Sequence, residues 1–171
     1  IGNKKFDSTH TTPDSITLNY MLKEMVKENC KFCFMEVSSH SLSQFRVYAI
    51  KYKVGVFTNI SHDHLDYHKT FENYLRTKKS FFDSLAVDSK LIYNSDDKNS
   101  LKIVEDSNAE IKTYSIRNKT DYSCKVIEST IDGLHLKINN QEIYTRVCGE
   151  FNAYNLLAAY ATCIELNLQK E

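Results

Sequence analysis

The sequence predicts an α/β domain: a mostly parallel sheet flanked by helices, with an antiparallel β extension. Three observations carry this. The first half alternates helix-period segments with short continuous apolar runs, the pattern of strand–helix–strand crossovers. The second half turns to short strand-like segments joined by Asp132-Gly133 and, more weakly, Asn139-Asn140, both hairpin turn pairs. A final apolar helix over 152–167 closes the chain.

The elements follow in order. "TTPDSITLNYMLKEMVKEN" (11–29) is a helix, with Thr12 as N-cap, Pro13 at the first helical position, and Ile16, Met21, Leu22, Met25 and Val26 at helical spacing. "KFCFMEV" (31–37) is a continuous apolar run ending in Glu36, expected to be a strand buried on both faces. "KVGVFTNI" (53–60) is a second such strand, "SHDHLDYHKT" (61–70) a polar loop, "FENYLRTKKSFFDSLA" (71–86) an amphipathic helix and "KLIYNSDD" (90–97) a third strand. "IKTYSI" and the segment 123–147 supply the short strands of the second half. No linker-like stretch separates the halves, so one domain is expected.

Composition bounds the function. The chain has 171 residues, 42% of them hydrophobic, and a formal net charge of zero. That balance argues against nucleic acid or an anionic membrane as the main partner. No apolar run is long enough to span a bilayer, and the first residues have neither the apolar core nor the cleavage site of a signal peptide. The five cysteines are read as free thiols in a reducing cytosol. The Cys30–Cys33 pair follows a helix and enters a strand, the reverse of a redox motif, and is expected to be plain core cysteine. With four glycines in all, there is no Gly-rich loop.

Ligands of open α/β sheets sit beyond the carboxyl ends of the strands. Two polar clusters fall there. "EVSSHSLSQFR" offers Glu36, Ser38, Ser39, His40, Gln44 and Arg46; a carboxylate at a strand end can hold a metal, and a guanidinium can grip a phosphate or carboxylate in bidentate fashion. "ISHDHLDYH" offers His62, Asp63, His64, Asp66 and His68, with donors suited to Mg²⁺ or Mn²⁺ if they converge on a substrate phosphate. The first cluster also reads as a solvated loop with a surface arginine, and the second as a polar loop with helix-capping aspartates. The 71–86 helix adds a third feature. At 100° per residue, Phe71, Tyr74, Leu75, Phe82 and Leu85 form one face, Lys78 lies near its centre and Lys79 at its edge. Two readings of Lys78 stay open: its ammonium snorkels to water, or it points at the rim where the clusters meet. In the second case burial lowers its pKa, and the neutral amine can take up CO₂ as a carbamate.

In the segments "THTTPDS", "FMEVSSHSLSQFR", "FTNISHDHLDYHKTFENYLRTKK" and "GEFNAYNLLAAY", the sequence resembles the central domain of the Mur ligases. It fits best the member that adds the third amino acid to the peptidoglycan stem peptide. The resemblance implies a bacterial, cytoplasmic, ATP-dependent amide ligase that activates UDP-N-acetylmuramoyl-L-alanyl-D-glutamate as an acyl phosphate. That intermediate would then couple to meso-diaminopimelate or L-lysine. It implies Mg²⁺ held by Glu36 and His64, with Lys78 carbamylated in support. It further implies that Thr11, Thr12, Ser38, Gln44 and Arg46 bind the UDP-sugar-peptide, and that Asn152 and Asn155 lie near the ATP base. Glu150 stands where the family often has a basic or small residue. His40, His62 and His68 are left to local hydrogen bonding. The family's G-x-x-x-x-G-K-[ST] phosphate loop does not occur here. The expectation is therefore a partial central domain over 1–171, without the UDP-binding and amino-acid-binding domains, inactive by itself and monomeric. Two rivals stand beside it: a non-catalytic remnant with the ligase fold, and a metal-dependent hydrolase using the His/Asp loop. A folate-lengthening ligase is a weaker alternative within the class.

Overall fold

A computed structural model of the chain describes residues 1–7 and 10–168. Its centre is a six-stranded sheet in simple sequential order: β1 (Val54–Phe57), β2 (Lys90–Asn94), β3 (Glu110–Ser115), β4 (Tyr122–Thr130), β5 (Gly133–Ile138) and β6 (Gln141–Thr145). β1, β2 and β3 are parallel, and β4 joins β3 in parallel through Tyr114–Tyr122 and Ser115–Ser123. β4, β5 and β6 are antiparallel, so the predicted parallel sheet with an antiparallel extension is the observed one. The helices are α1 (Ser15–Lys27), α2 (Ser39–Ser43), α3 (Leu65–His68), α4 (Phe71–Asp83), α5 (Ser100–Val104) and α6 (Glu150–Glu165).

The apolar run of β2 feeds both faces of the sheet. Leu91 enters a core shared with α4 and α5, among Phe57, Leu75, Phe81, Phe82 and Ile103. Its neighbour Ile92 enters a second core under α6, with Tyr114, Leu134, Leu136, Ala153 and Leu157. A strand buried on both sides needs no polar alternation. The buried Ala153, Ala158 and Ala161 let α6 lie close across the strands. At the tip of the extension, Asn139 and Asn140 both take positive φ (45° and 67°), as a two-residue hairpin loop requires. The other hairpin turns through Ile131 and Asp132, and Gly133 opens β5. At Gly133 a Cβ would lie 1.9 Å from the carbonyl oxygen of Thr145.

Four expectations need correction. Residues 31–37 form no strand among the described residues, and Phe32 and Phe34 are 43% and 65% exposed, their rings stacked on each other. A strand exists through its ladder, and no described strand pairs with this segment. Cys30 and Cys33 are accordingly half-buried and exposed rather than core residues, although all five cysteines are free. Burial, and then Cys30 beside it, push the Cys33 thiol up, the opposite of an activated redox thiolate. α1 is capped by Asp14, which accepts from the amides of Ile16 and Thr17, and Pro13 precedes the cap. Its inward face is Leu18, Met21, Leu22 and Met25; Ile16 and Val26 face outward. Finally, α5 and the short helices α2 and α3 lie where loops or no element were expected.

Candidate active site

The two polar clusters, far apart in sequence, meet at the carboxyl edge of the sheet. α2 is capped by the Ser38 hydroxyl, which accepts from the Ser41 amide at 3.1 Å. That cap places Ser39 against α3, where its hydroxyl pairs with the His68 Nε2 at 2.9 Å. The His40 ring packs on Tyr67 (4.3 Å) and reaches His64 (5.0 Å). On the α1 side, Thr12 is buried and donates its hydroxyl to the Glu36 carbonyl at 2.8 Å. Thr12 was expected to cap the helix; this tertiary bond claims its side chain instead. Arg46 donates through Nη1 to the Thr12 carbonyl and through Nε and Nη2 to the Gln44 side chain. Of the five N–H donors of a guanidinium, these bonds use three, leaving one on Nη1 and one on Nη2 without a partner among the described residues. Thr11 is exposed beside them.

His64 sits at the N-cap of α3 with φ of 55°, a left-handed conformation uncommon outside Gly, Asn, Asp and His. The Asp63 carboxylate accepts its amide at 2.7 Å and holds the turn. From there the His64 ring reaches the edge of Tyr74 (5.8 Å) on α4. His62 turns aside and stacks on Phe71 at 4.4 Å. His68 is buried, and burial, then His40 and His64, hold its imidazole below the usual range. Among the described residues no group of three or more His, Cys, Asp or Glu stands close enough to hold a metal ion. The His/Asp loop therefore builds no cage of its own.

α4 separates its two lysines sharply. Lys78 has no carboxylate within salt-bridge distance among the described residues; its ammonium lies over the Tyr74 ring, 5.5 Å from the centroid. Burial holds its pKa below the ordinary lysine value, and the Glu36 carboxylate pulls weakly the other way. Lys79 is not the solvated charge its edge position implies. It bonds Asp83 at 2.9 Å and Asp106 at 2.7 Å, and its side chain is only 16% exposed. Burial works to lower its pKa, but those two carboxylates raise it overall. Tyr74, which the helical period assigns to the core, is the residue sequence reasoning missed: Lys78, His64 and His68 all gather on its ring. Its position one turn before Lys78 was the available signal.

Asn152 and Asn155 lie apart from this cluster, at the start of α6. Asn152 donates to the Cys148 carbonyl at 2.7 Å, and Asn155 to the Asn152 side-chain oxygen at 3.1 Å. Tyr154 between them reaches Asp96, just beyond β2, so this helix end stands at the same carboxyl edge of the sheet.

The donor set suits a hard cation completed by substrate. Glu36 supplies a carboxylate, and Mg²⁺ commonly takes one or two carboxylates with water and substrate phosphate as its remaining ligands. The fold, an α/β sheet with these clusters at its carboxyl edge, is that of a known domain class. Residues 1–163 match the Mur ligase middle domain, and the chain belongs to this family. It is similar to the UDP-N-acetylmuramoyl-L-alanyl-D-glutamate–2,6-diaminopimelate ligase of Cytophaga hutchinsonii, at 47% identity over 100% of this chain and 35% of that protein. The ligase of the same name from Phocaeicola vulgatus is 48% identical over 96% of this chain and 34% of its own length. A solved structure of a ligase with that name superposes with a TM-score of 0.81 at 28% identity, covering 94% of this chain and 34% of that one. MurF ligase from Thermotoga maritima shares the fold at a TM-score of 0.58 and 15% identity, over 71% of this chain and 29% of that one. The chain thus spans about a third of the length of the curated relatives it matches.

Proposed function

We propose that this chain is the central part of a bacterial, cytoplasmic ligase that adds meso-diaminopimelate to UDP-N-acetylmuramoyl-L-alanyl-D-glutamate at the expense of ATP. The curated relatives that match it across its whole length carry that name. L-Lysine is the alternative amine. The observation that carries the reading is Lys78: a lysine on a buried face, without a carboxylate partner, one residue from a lysine that has two.

In this reading the neutral amine of Lys78 adds CO₂, forming an N–C bond and releasing one proton. The cation becomes a carboxylate-like carbamate beside the Tyr74 ring, which His64 also meets, and within electrostatic reach of Glu36. Glu36, His64 and that carbamate would hold Mg²⁺, which when bound neutralises charge on the transferring phosphoryl group. The chain's own residues orient the reactants. Arg46, its plane fixed by Gln44 and Thr12, turns its remaining N–H groups to an anionic group of the UDP-sugar-peptide, which Thr11, Thr12, Ser38 and Gln44 also bind. Asn152 and Asn155 contact the ATP base. The substrate carboxylate attacks the terminal phosphoryl group of ATP and ADP leaves. The incoming amine then attacks the acyl phosphate, and phosphate leaves as the amide forms.

The test uses the full-length protein with ATP, Mg²⁺, the UDP-muramoyl-dipeptide and either amino acid. One ADP and one amide product per turnover, with diaminopimelate preferred, are expected. Substrate cleavage without ATP would replace the reading with a hydrolase, and binding without turnover would replace it with a non-catalytic role.

A further inference from the structure

The turn after β2, Asn94–Asp97 ("NSDD"), links the β1 side of the site to the α6 side. Toward β1, Asn94 donates its amide to the Thr58 carbonyl at 2.9 Å, and Asp97 accepts the Ile60 amide at 3.1 Å. Ile60 opens the loop that carries His62 and His64. Toward the other side, one oxygen of Asp96 accepts the Ser115 hydroxyl (2.8 Å) and the Asn118 amide (3.2 Å). Its other oxygen accepts the Ile116 backbone amide and the Tyr154 hydroxyl, both at 3.1 Å. The turn braces itself as well: the Asn94 side chain accepts the Asp96 amide, and Asp97 accepts the Asn99 amide. Burial pushes the Asp96 carboxyl up, yet the four donors outweigh it and hold it below the usual range. A carboxylate fully occupied in this way is a fixed anchor rather than a proton carrier.

We infer that this turn is a positioning element: Asp96, through Tyr154, sets the first turns of α6 with Asn152 and Asn155, while Asp97, through Ile60, sets the loop bearing His64. The inference rests on the proposed ligase reading, because it takes α6 as the nucleotide side and His64 as the metal side. Neither aspartate touches substrate in it. The turn makes the spacing of the two sides a property of one rigid β2 end.

Two variants of the full-length ligase separate this from a merely structural role. Tyr154→Phe removes one hydroxyl and keeps the ring in its packing. It is expected to raise the KM for ATP and the Kd for ADP roughly five- to tenfold, the size of a lost charge-assisted bond. Its kcat and its KM for the UDP-muramoyl-dipeptide should stay within about twofold. Asp97→Ala frees the other side, and should lower kcat with the ADP affinity unchanged. Unaltered ATP and ADP affinity in Tyr154→Phe would overturn the inference. So would a uniform loss of every parameter in both variants that tracks a fall in thermal midpoint. A wild-type enzyme that ligates while the variants show no such split fails this inference alone. A wild-type enzyme that does not ligate fails the functional reading first.

Discussion

The two neighbouring lysines of α4 should dissociate stability from turnover. Lys79 makes ion pairs of 2.9 Å to Asp83 and 2.7 Å to Asp106, the second tying α4 to the segment after α5. Asp106 is 70% exposed, so water screens that pair and each bridge is worth about 0.5–1 kcal/mol rather than its vacuum energy. Lys79→Ala therefore costs roughly 1–2 kcal/mol, a fall of about 2–4 °C in thermal midpoint per kcal/mol for a domain of this size. It should leave kcat within about twofold, because no substrate group is lost. Lys78 gives the reverse. Its charge is half-buried and, among the described residues, meets only the Tyr74 ring, so Lys78→Ala removes little stabilising energy and relieves a desolvated cation. Its loss should cut kcat by at least about a hundredfold, the scale of removing one preorganised electrostatic group. The assay is phosphate release with the UDP-muramoyl-dipeptide in the full-length protein, beside thermal unfolding of the same samples. Equal losses of turnover in both variants, or a Lys78→Ala enzyme that turns over normally, would show that Lys78 has no special part in catalysis.

Other consequences follow from single contacts. Arg46→Lys loses the planar fork held by Gln44 and Thr12, and the KM for the UDP-muramoyl-dipeptide should rise about tenfold with the KM for ATP unchanged, as initial rates will show. Gly133→Ala drives a methyl group into the Thr145 carbonyl at φ of 148°, so thermal unfolding should register a loss of about 2 kcal/mol or more. Asp96 is a carboxyl held below its usual range, so its contribution to stability is complete above the unfolded value near ~4 and fades as pH falls through the folded one. The thermal midpoints of wild type and Asp96→Asn should therefore differ at neutral pH and converge in acid; a gap independent of pH would contradict the assignment.

Where local pattern decided structure, the sequence was legible. The helical period of 71–86 located α4 and singled out Lys78. The apolar run at 90–94 is β2, and paired asparagines announced the tip of the β5–β6 hairpin. What escaped depended on distant partners. Residues 31–37 have strand chemistry, but strand formation needs a ladder from elsewhere. Thr12 and Asp14 are both good caps; the Glu36 carbonyl decides between them by engaging Thr12. α5 is five residues long, too short for a period to show. Lys79 finds Asp106, and Asp96 finds Tyr154, across loops that no spacing rule covers. The two clusters and the lysine that meet at the sheet edge were each visible as local pattern. Their bracing, the NSDD turn and the Tyr74 ring, was not.

In the proposed reaction the substrate carboxylate is activated as an acyl phosphate before the amide forms. Enriching that carboxylate of the UDP-muramoyl-dipeptide in ¹⁸O and recording the mass of the phosphate released by the full-length protein tests it directly. One ¹⁸O is expected in each phosphate released from fully labelled substrate. Phosphate without label, formed alongside the amide product, would contradict it.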